Sequence, residues 1–506
     1  MSIFATYLLE VNWSGDDTTW VDETAYLLAI ETRRGRDYAS QLVGRATPGS
    51  LIVTLWNSSG RFSPFNTAGA LYGSLLPGRA VRWRTTAPSV ATLWYGFVDV
   101  IEPLPGDRDD FAKVMLRASG PLKWVQEKRA STATYTSLTT GVAVGYVLDD
   151  AAWPAGPRTI DTGQVTMNRW KADGESALQH LREVEDTEFG YIGESPAGNI
   201  IFEDVHHRLV SPHTTSQVTF SDTSGATLSY EGIVQRNPWQ DIYNRFEAEV
   251  QLFTVQSIAV LWTLAGETPV IGVGASLEVW VGYPTPDAAT AADHVDAWTT
   301  PVVTTDYTAN SQADGLGSDL SASVSVAVSK MATVMKVTLT NNHATLPAYL
   351  TFLQARGTAA YKNDPIRIVQ EDATSKTAYG TRTYPLPGKF YPSTVRAKSF
   401  GEYGTSRYKD PLPVLGLTFQ ANQSSGHMTQ ALTRDVSERI TVIASATVMS
   451  GAQLGISRDF FIESVSHRYS LAGHWVSYEL SDAFAGAGAY WVLGVSLLGN
   501  DTRLVV

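Results

Sequence analysis

The sequence predicts a mainly β, multidomain protein with one small α+β part, and three observations carry that expectation. Its 506 residues amount to three or four units at roughly 150 residues per domain. Short runs rich in Thr, Val, Tyr and Trp are punctuated by 41 Gly and 23 Pro, the texture of multi-strand sandwiches and barrels. Helical periodicity is confined to a stretch of about 130–210, and that change of texture marks the best internal boundary.

Taken in chain order, residues 103–110 (PLPGDRDD) lie between two strand-like runs and read as a long hairpin tip. Residues 139–151 place Val144, Val147, Leu148 and Ala151 on one helical stripe, behind a Thr able to cap. In residues 173–188, Asp173 is the expected N-cap and Glu175 falls in the first turn, where the helix dipole favours an anion. Ala177, Leu178, Leu181 and Val184 form the buried face of that helix. Residues 284–317 are poor in large apolar side chains and read as connecting loops within a β insertion of about 260–360. Inside it, Val324, Val326 and Val328 alternate with polar residues, as do Met335, Val337 and Leu339, so each set faces one side of a sheet. Asn341 and Asn342 then suggest a turn. The Ala/Gly stretch 483–489 precedes an apolar C-terminal tail, which is expected to dock on its own domain or on a neighbouring subunit.

Composition excludes several classes of function. There is no cysteine, so disulfide scaffolds, thiolate zinc sites, iron–sulfur clusters and cysteine nucleophiles are ruled out. A net charge of −12 is unsuited to gripping a nucleic-acid backbone. No apolar run reaches membrane-spanning length, and the start lacks a basic region followed by an apolar core, so a soluble chain made without a signal peptide is expected. Charge is uneven: residues 1–130 balance to +1, leaving −13 for the rest. The bases of the first part crowd between Arg33 and Arg84, as Arg33, Arg34, Arg36, Arg45, Arg61, Arg79, Arg82 and Arg84. They could form a surface for an acidic partner or simply pair with acids on neighbouring strands.

Few motifs that carry chemistry are present. Neither a P-loop nor a G-x-G-x-x-G turn is present, and H-E-x-x-H is absent. Gly193-Glu194-Ser195-Pro196 fails as a nucleophile elbow, lacking the second glycine and carrying proline where the turn must tighten. His206 and His207 would point to opposite faces of a strand, so they read as a surface strand end and not as paired ligands. Asp107, Asp109 and Asp110 could hold calcium in a Gly-containing loop, though the distal bidentate Glu of an EF-hand is missing. Asp149 and Asp150 are expected to end their helix facing solvent. No catalytic, cofactor or metal residue is assigned, no cofactor is expected, and the protein is not expected to be an enzyme.

The most specific text is residues 33–84, RRGRDYASQLVGRATPGSLIVTLWNSSGRFSPFNTAGALYGSLLPGRAVRWR, followed by LWYGFVDVIEP at 93–103. Gly60 and Gly78 suit turns with positive φ, and Phe62 and Phe65 look like anchors folding the loop back onto the sheet. This text resembles the N-terminal domain of hub or minor tail proteins of long-tailed bacteriophages. GNIIFED near 200, residues 340–384 with Asp372, Ser375, Tyr379 and Gly380, and the end 460–483 are similar to later parts of such proteins.

The resemblance implies two tail-tube-like β-barrels plus a β-sandwich-like insertion. On that mapping 1–120 is the first barrel and 121–215 an α+β hub domain. Residues 216–260 with 361–482 form a split second barrel, 261–360 the insertion, and 483–506 the docking tail. It further implies a structural virion protein at the tail tip, made in the host cytoplasm. Three copies would present six barrels, adapting a sixfold tube to a threefold tip and lining an acidic DNA exit channel without specific DNA binding. The partners implied are a homotrimer, distal tail and tail-tube proteins, the tape-measure protein, tip or fibre proteins and the host cell envelope. Rival expectations are a receptor- or carbohydrate-binding tip protein with a lectin-like insertion, a tail-associated hydrolase, and a hexameric distal tail ring.

Overall fold

The computed structural model describes residues 5–16, 18–40, 42–106, 112–283, 292–445, 454–483, 489–491 and 502–504. The Asp107, Asp109 and Asp110 cluster and most of the C-terminal tail lie outside them. The described chain is mainly β and distributed over several sheets.

The largest sheet has 13 strands, numbered here in chain order. Its first part holds β1 (Thr6–Val11), β2 (Val21–Asp22), β3 (Leu27–Gly35), β4 (Ser50–Trp56), β5 (Ala80–Ala87), β6 (Ala91–Leu104) and β7 (Lys113–Ser119). Its second part holds β8 (Thr219–Ser221), β9 (Gly232–Arg236), β10 (Val414–Gln420), β11 (Arg439–Ala444), β12 (Ile456–Ser470) and β13 (Gly473–Asp482). The pairing order is β9-β10-β13-β12-β3-β4-β7-β6-β5-β1-β2, while β11 pairs with β12 and β8 with β11. Two closed barrels were expected; among the described residues no ladder closes, and the two parts are one continuous sheet. The reason is the length of β12. Its 15 residues pair with β11 over Ile456–Phe461 and then with β3 over Ser464–Ser470, from Gly35↔Ser464 to Ala29↔Ser470. Sharing a strand edge satisfies backbone groups that a separate module would leave bare.

One core lies under both parts. Leu9, Ile30, Val53 and Trp83 from the first pack in the same cluster as Phe220, Phe419, Phe460 and Tyr478 from the second. At the seam, Tyr7 donates to Nδ1 of His474 or accepts from it at 2.8 Å, and His474 meets His467 at 3.0 Å, both rings lying against Trp83. Burial holds His474 down to about 3 and His467 well below the usual range, so both are neutral at pH 7.

A second core joins α1 (Pro121–Gln126), α2 (Thr140–Asp150) and α3 (Ala177–Glu188) to a small sheet of Arg245–Val250, Ile366–Glu371 and Thr383–Leu386. Val144, Val147, Leu148 and Ala151 are buried as the periodicity predicted. Asp173 is not a cap. Residues Asp173–Ser176 pair with Arg129–Ser131 as a strand, so their backbone is committed to a ladder and the helix begins only at Ala177. Asp149 and Asp150 do end α2 and are exposed.

The third core belongs to two facing antiparallel sheets between residues 253 and 362. Val324–Lys330 pairs with Val334–Asn341, burying Met335, Val337 and Leu339. Asn341 closes this strand as a pin more than a turn, its amide donating to Ile271 O at 3.0 Å and Leu346 O at 2.9 Å.

Gly35 ends β3 at φ +105°, and a Cβ there would meet Glu463 O at 2.3 Å and Ser464 Cα at 2.7 Å. Gly35→Ala is therefore expected to cost at least about 2 kcal/mol, read as a lowered denaturation midpoint with an unchanged m-value.

Candidate functional site

The sheet, the α+β core and the second part of the chain meet at a buried polar junction, and the R-R-G-R text of β3 supplies half of it. Glu463 sits at a β-bulge in β12, between Ile462↔Leu480 and Ser464↔Glu479, at the point where the strand changes partner from β11 to β3. The bulge turns its side chain inward, fully buried. There its carboxylate accepts from Arg36 Nε at 2.8 Å, from Arg208 at 2.7 and 2.9 Å and from Ser481 Oγ at 2.5 Å. Burial would push this carboxyl up, but the Arg208 and Arg36 guanidiniums outweigh it and hold it at about 2.

Around this centre further polar groups are matched, while the buried Ser464 Oγ beside Glu463 has no hydrogen-bond partner among the described residues. Arg208 also donates to Ser437 Oγ at 3.2 and 3.1 Å, and Ser437 in turn donates to Glu203. Ser437 is a buried non-glycine residue at φ +69°, a conformation tolerated because both neighbours fix its hydroxyl. The Arg208 and Arg36 planes lie over Phe461 and Tyr191 at 4.7 and 4.4 Å. Arg34 pairs with Asp435 at 2.8 Å and donates to Glu194 O at 3.3 Å. Residues from β3, from the α+β part and from 435–481 are thus locked in one cluster.

The junction absorbs several residues singled out in the sequence. Glu194 of the failed elbow is fully enclosed; it accepts from Gly49 N and from Leu122 N at 3.0 Å, tying β4 to the start of α1. Burial raises its carboxyl to about 7 against those two N–H groups. Ser195 opens the turn between Tyr191–Glu194 and Ile200–Glu203, its Oγ accepting from Asn199 N at 3.0 Å. His206 and His207 are not a strand end. They start a 3₁₀ turn, His207–Leu209, because His207 N donates to Asp204 O, and the His207 ring contacts Asp161 at 2.8 Å. Among the described residues no cluster of His, Asp and Glu could hold a metal ion.

The arginines of 33–84 are largely satisfied within the chain. Arg45 pairs with Asp186 at 2.6 Å, and Arg82 and Arg84 share Glu10 at 2.7 and 2.5 Å. Arg61 forks onto the buried Glu23 at 3.0 and 2.7 Å, and Trp13 donates to the same carboxylate at 2.9 Å. That clamp holds the loop between β4 and β5, whose turns are linked by backbone bonds from Gly60, Ser63, Asn66, Gly69 and Tyr72. Phe62 anchors the loop as expected, fully buried. Phe65 does not: it is 95% exposed, with Tyr72 and Leu76 also exposed nearby in sequence. Asn57 explains the difference, since its side chain holds Phe62 N at 2.9 Å and Ser63 Oγ at 3.1 Å and fixes the turn with the second ring outward.

On the sheet face opposite the core, period-2 pairing aligns Glu31, Arg33, Ser50, Ser466, Arg468 and Ser477 across the seam. Arg117 and Glu102 continue it on β7 and β6. Charges of both signs and small hydroxyls share this face with Ile52, Val100, Met115 and Trp475.

No family model matches the chain, and no curated protein matches it in sequence. Among solved structures, a tail protein from Neisseria meningitidis MC58 aligns over 94% of this chain and 97% of its own, at 9% identity and a TM-score of 0.51. The 43 kDa tail protein of prophage MuSo2 from Shewanella oneidensis covers the same shares at 10% identity and a TM-score of 0.48. Prophage tail protein gp18 from Listeria monocytogenes EGD-e covers 95% and 96% at 8% identity and 0.43. The tail-protein resemblance of the sequence is thus matched by a shared fold over nearly the whole chain.

Replacing Glu463 by Gln leaves two buried guanidiniums without a counter-charge and is expected to cost about 3–5 kcal/mol at pH 7. Because the folded carboxyl titrates near 2 and the unfolded one near 4.5, the unfolded chain takes its proton first. The advantage of wild type over Glu463→Gln is present above pH 4.5 and shrinks by about 3 kcal/mol as pH falls through 2, checked by urea unfolding at stepped pH.

Proposed function

We propose that this chain is a structural subunit of a bacteriophage tail, placed at the tail tip as a hub that adapts a sixfold tube to a threefold tip. The observation that carries the reading is the single sheet running from β9 to β2, in which a first part (β1–β7) and a second part (β8–β13) are joined edge to edge over one core. Two sheet modules in one polypeptide let three copies occupy six positions around a channel. In this reading residues 1–120 and 216–260 with 361–482 supply the two tube-related modules. Residues 121–215 and the insertion 261–360 stand outside them. The small sheet of Arg245–Val250, Ile366–Glu371 and Thr383–Leu386 braces the α+β part from within the second module's segment.

The work of such a subunit is mechanical. Its partners are two further copies of itself, the tail-tube and distal tail proteins, the tape-measure protein and the tip or fibre proteins that face the host envelope. The exposed sheet face is the proposed channel wall. With acids and bases interleaved, it would pass DNA by offering no unbroken basic track, a different device from the net acidity expected of the lumen. Assembly is tested by mass photometry of the purified chain and by the symmetry of tail tips in cryo-electron images. Threefold rings are the expected result; a chain that stays monomeric where tails assemble, or a sixfold ring, overturns the hub reading, the latter in favour of a distal tail ring.

Subunit contact is assigned to the loop carrying Phe65, because an exposed aromatic on a rigid, internally bonded loop binds without an ordering cost. Phe65→Asp is expected to leave monomer stability within about 0.5 kcal/mol and to weaken association at least tenfold, read by concentration-dependent mass photometry. Arg61 is no probe of contacts, since reversing it strands the buried Glu23; Arg79→Glu, where the side chain donates to Ser74 O at 3.4 Å, is the charge reversal to use.

A further inference from the structure

A cleft of about 840 Å³ lies where the α+β part, the small sheet and the insertion meet, within the size range of ligand sites. Its walls are fixed from both sides. Toward the insertion, Arg169 pairs with Asp296 at 2.6 Å, Thr134 Oγ1 donates to Val295 O at 3.0 Å and Ala332 N donates to Thr132 O at 3.0 Å. Toward the small sheet, Lys389 pairs with Glu183 at 2.8 Å and Phe390 N donates to Thr187 Oγ1 at 3.2 Å. The space is therefore preformed and not a hinge between loose bodies.

The chemistry of its lining narrows what fits. Five cations and five carboxylates line it, so it carries no net charge. Each cation already has a carboxylate partner: Arg169, Lys171, Lys362, Arg367 and Lys389 pair with Asp296, Asp293, Asp293, Glu247 and Glu183. A phosphate or polyanion would have to break these pairs. A hydrophobic ligand would strand them out of water. A hydroxyl-rich neutral molecule can donate to the carboxylates and accept from the ammonium groups while leaving the pairs intact. Phe253, Phe390, Pro365, Pro385 and Pro387 add apolar surface suited to the C–H face of a pyranose ring. Two further lining side chains, Trp170 and His294, are at least 98% buried; among the described residues Trp170 Nε1 has no hydrogen-bond partner, and His294 Nε2 faces Asp296 Oδ1 at 3.9 Å, beyond hydrogen-bond distance.

We propose that this cleft is a binding site for a neutral oligosaccharide. The site is complete within one chain, so it stands or falls separately from the trimeric hub. The test is saturation-transfer NMR and calorimetry on the full chain with maltotriose, cellotriose, chitotriose and a β-galactotriose, with inorganic phosphate and heparin as charged controls. Saturable binding of at least one neutral trisaccharide is expected. Two variants locate it: Lys362→Ala at the mouth, and Glu249→Trp, which plugs the space from an exposed strand position. Each should lower the affinity at least tenfold while the melting temperature stays within a few degrees. If neither variant melts normally, competition between trisaccharides for one saturable site in the wild type still supports the proposal. Absence of saturable binding by all four sugars overturns it, as does preference for phosphate or heparin, or binding unchanged in both variants.

Discussion

The buried carboxylate of Glu463 is the constraint on which the rest of this structure depends. A single extra residue in β12 points an acid into the core at the place where the strand leaves one neighbour for another. Without Arg36 and Arg208 that acid could not stay ionised there, and without the acid neither guanidinium could be buried. A buried ion cluster of this type contributes little net stability compared with well-packed apolar groups. What it does supply is register, because a slip of β3 against β12 by one residue would place Arg36 on the wrong side of the sheet. Arg34 and Glu194 extend the same logic to α1 and to the turn at Gly49. The α+β part is thereby fixed to the sheet by polar contacts as well as by its own core.

Much of the local structure was legible in the sequence. Alternation located the strands of the insertion, periodicity located α2 and the buried face of α3, and Gly60 and Gly78 do adopt positive φ at +66° and +80°. The misreadings share a physical cause, which is that the deciding partner lies far away in sequence. Arg36 looks like any strand arginine until Glu463, 427 residues later, is placed beside it. Asp173 has every mark of a cap, yet Arg129–Ser131 claims its backbone first. Phe62 and Phe65 are both aromatic in one loop, and only the side-chain bonds of Asn57 decide which goes inward. The merging of two expected barrels into one sheet was invisible for the same reason: strand pairing across the seam has no local signature.

The candidate sites divide along that line. The junction used residues the sequence had flagged, Arg34, Arg36 and Glu194, in roles no motif describes. The cleft was not legible at all, since its walls come from seven separate stretches of chain between Thr134 and Phe390 and its side chains are ordinary surface charges until folding brings them together. Its rigidity follows from the bracing ion pairs between Arg169 and Asp296 and between Lys389 and Glu183, each joining a wall to its neighbour.

The seam between β3 and β12 also sets a timetable. During synthesis β3 emerges early, while the strand that covers its open edge arrives only in the last tenth of the chain. Until then the nascent first part exposes unpaired backbone groups and two arginines awaiting their acids. Emergence of β12, not of the first β-rich part, is the moment at which this sheet can be completed.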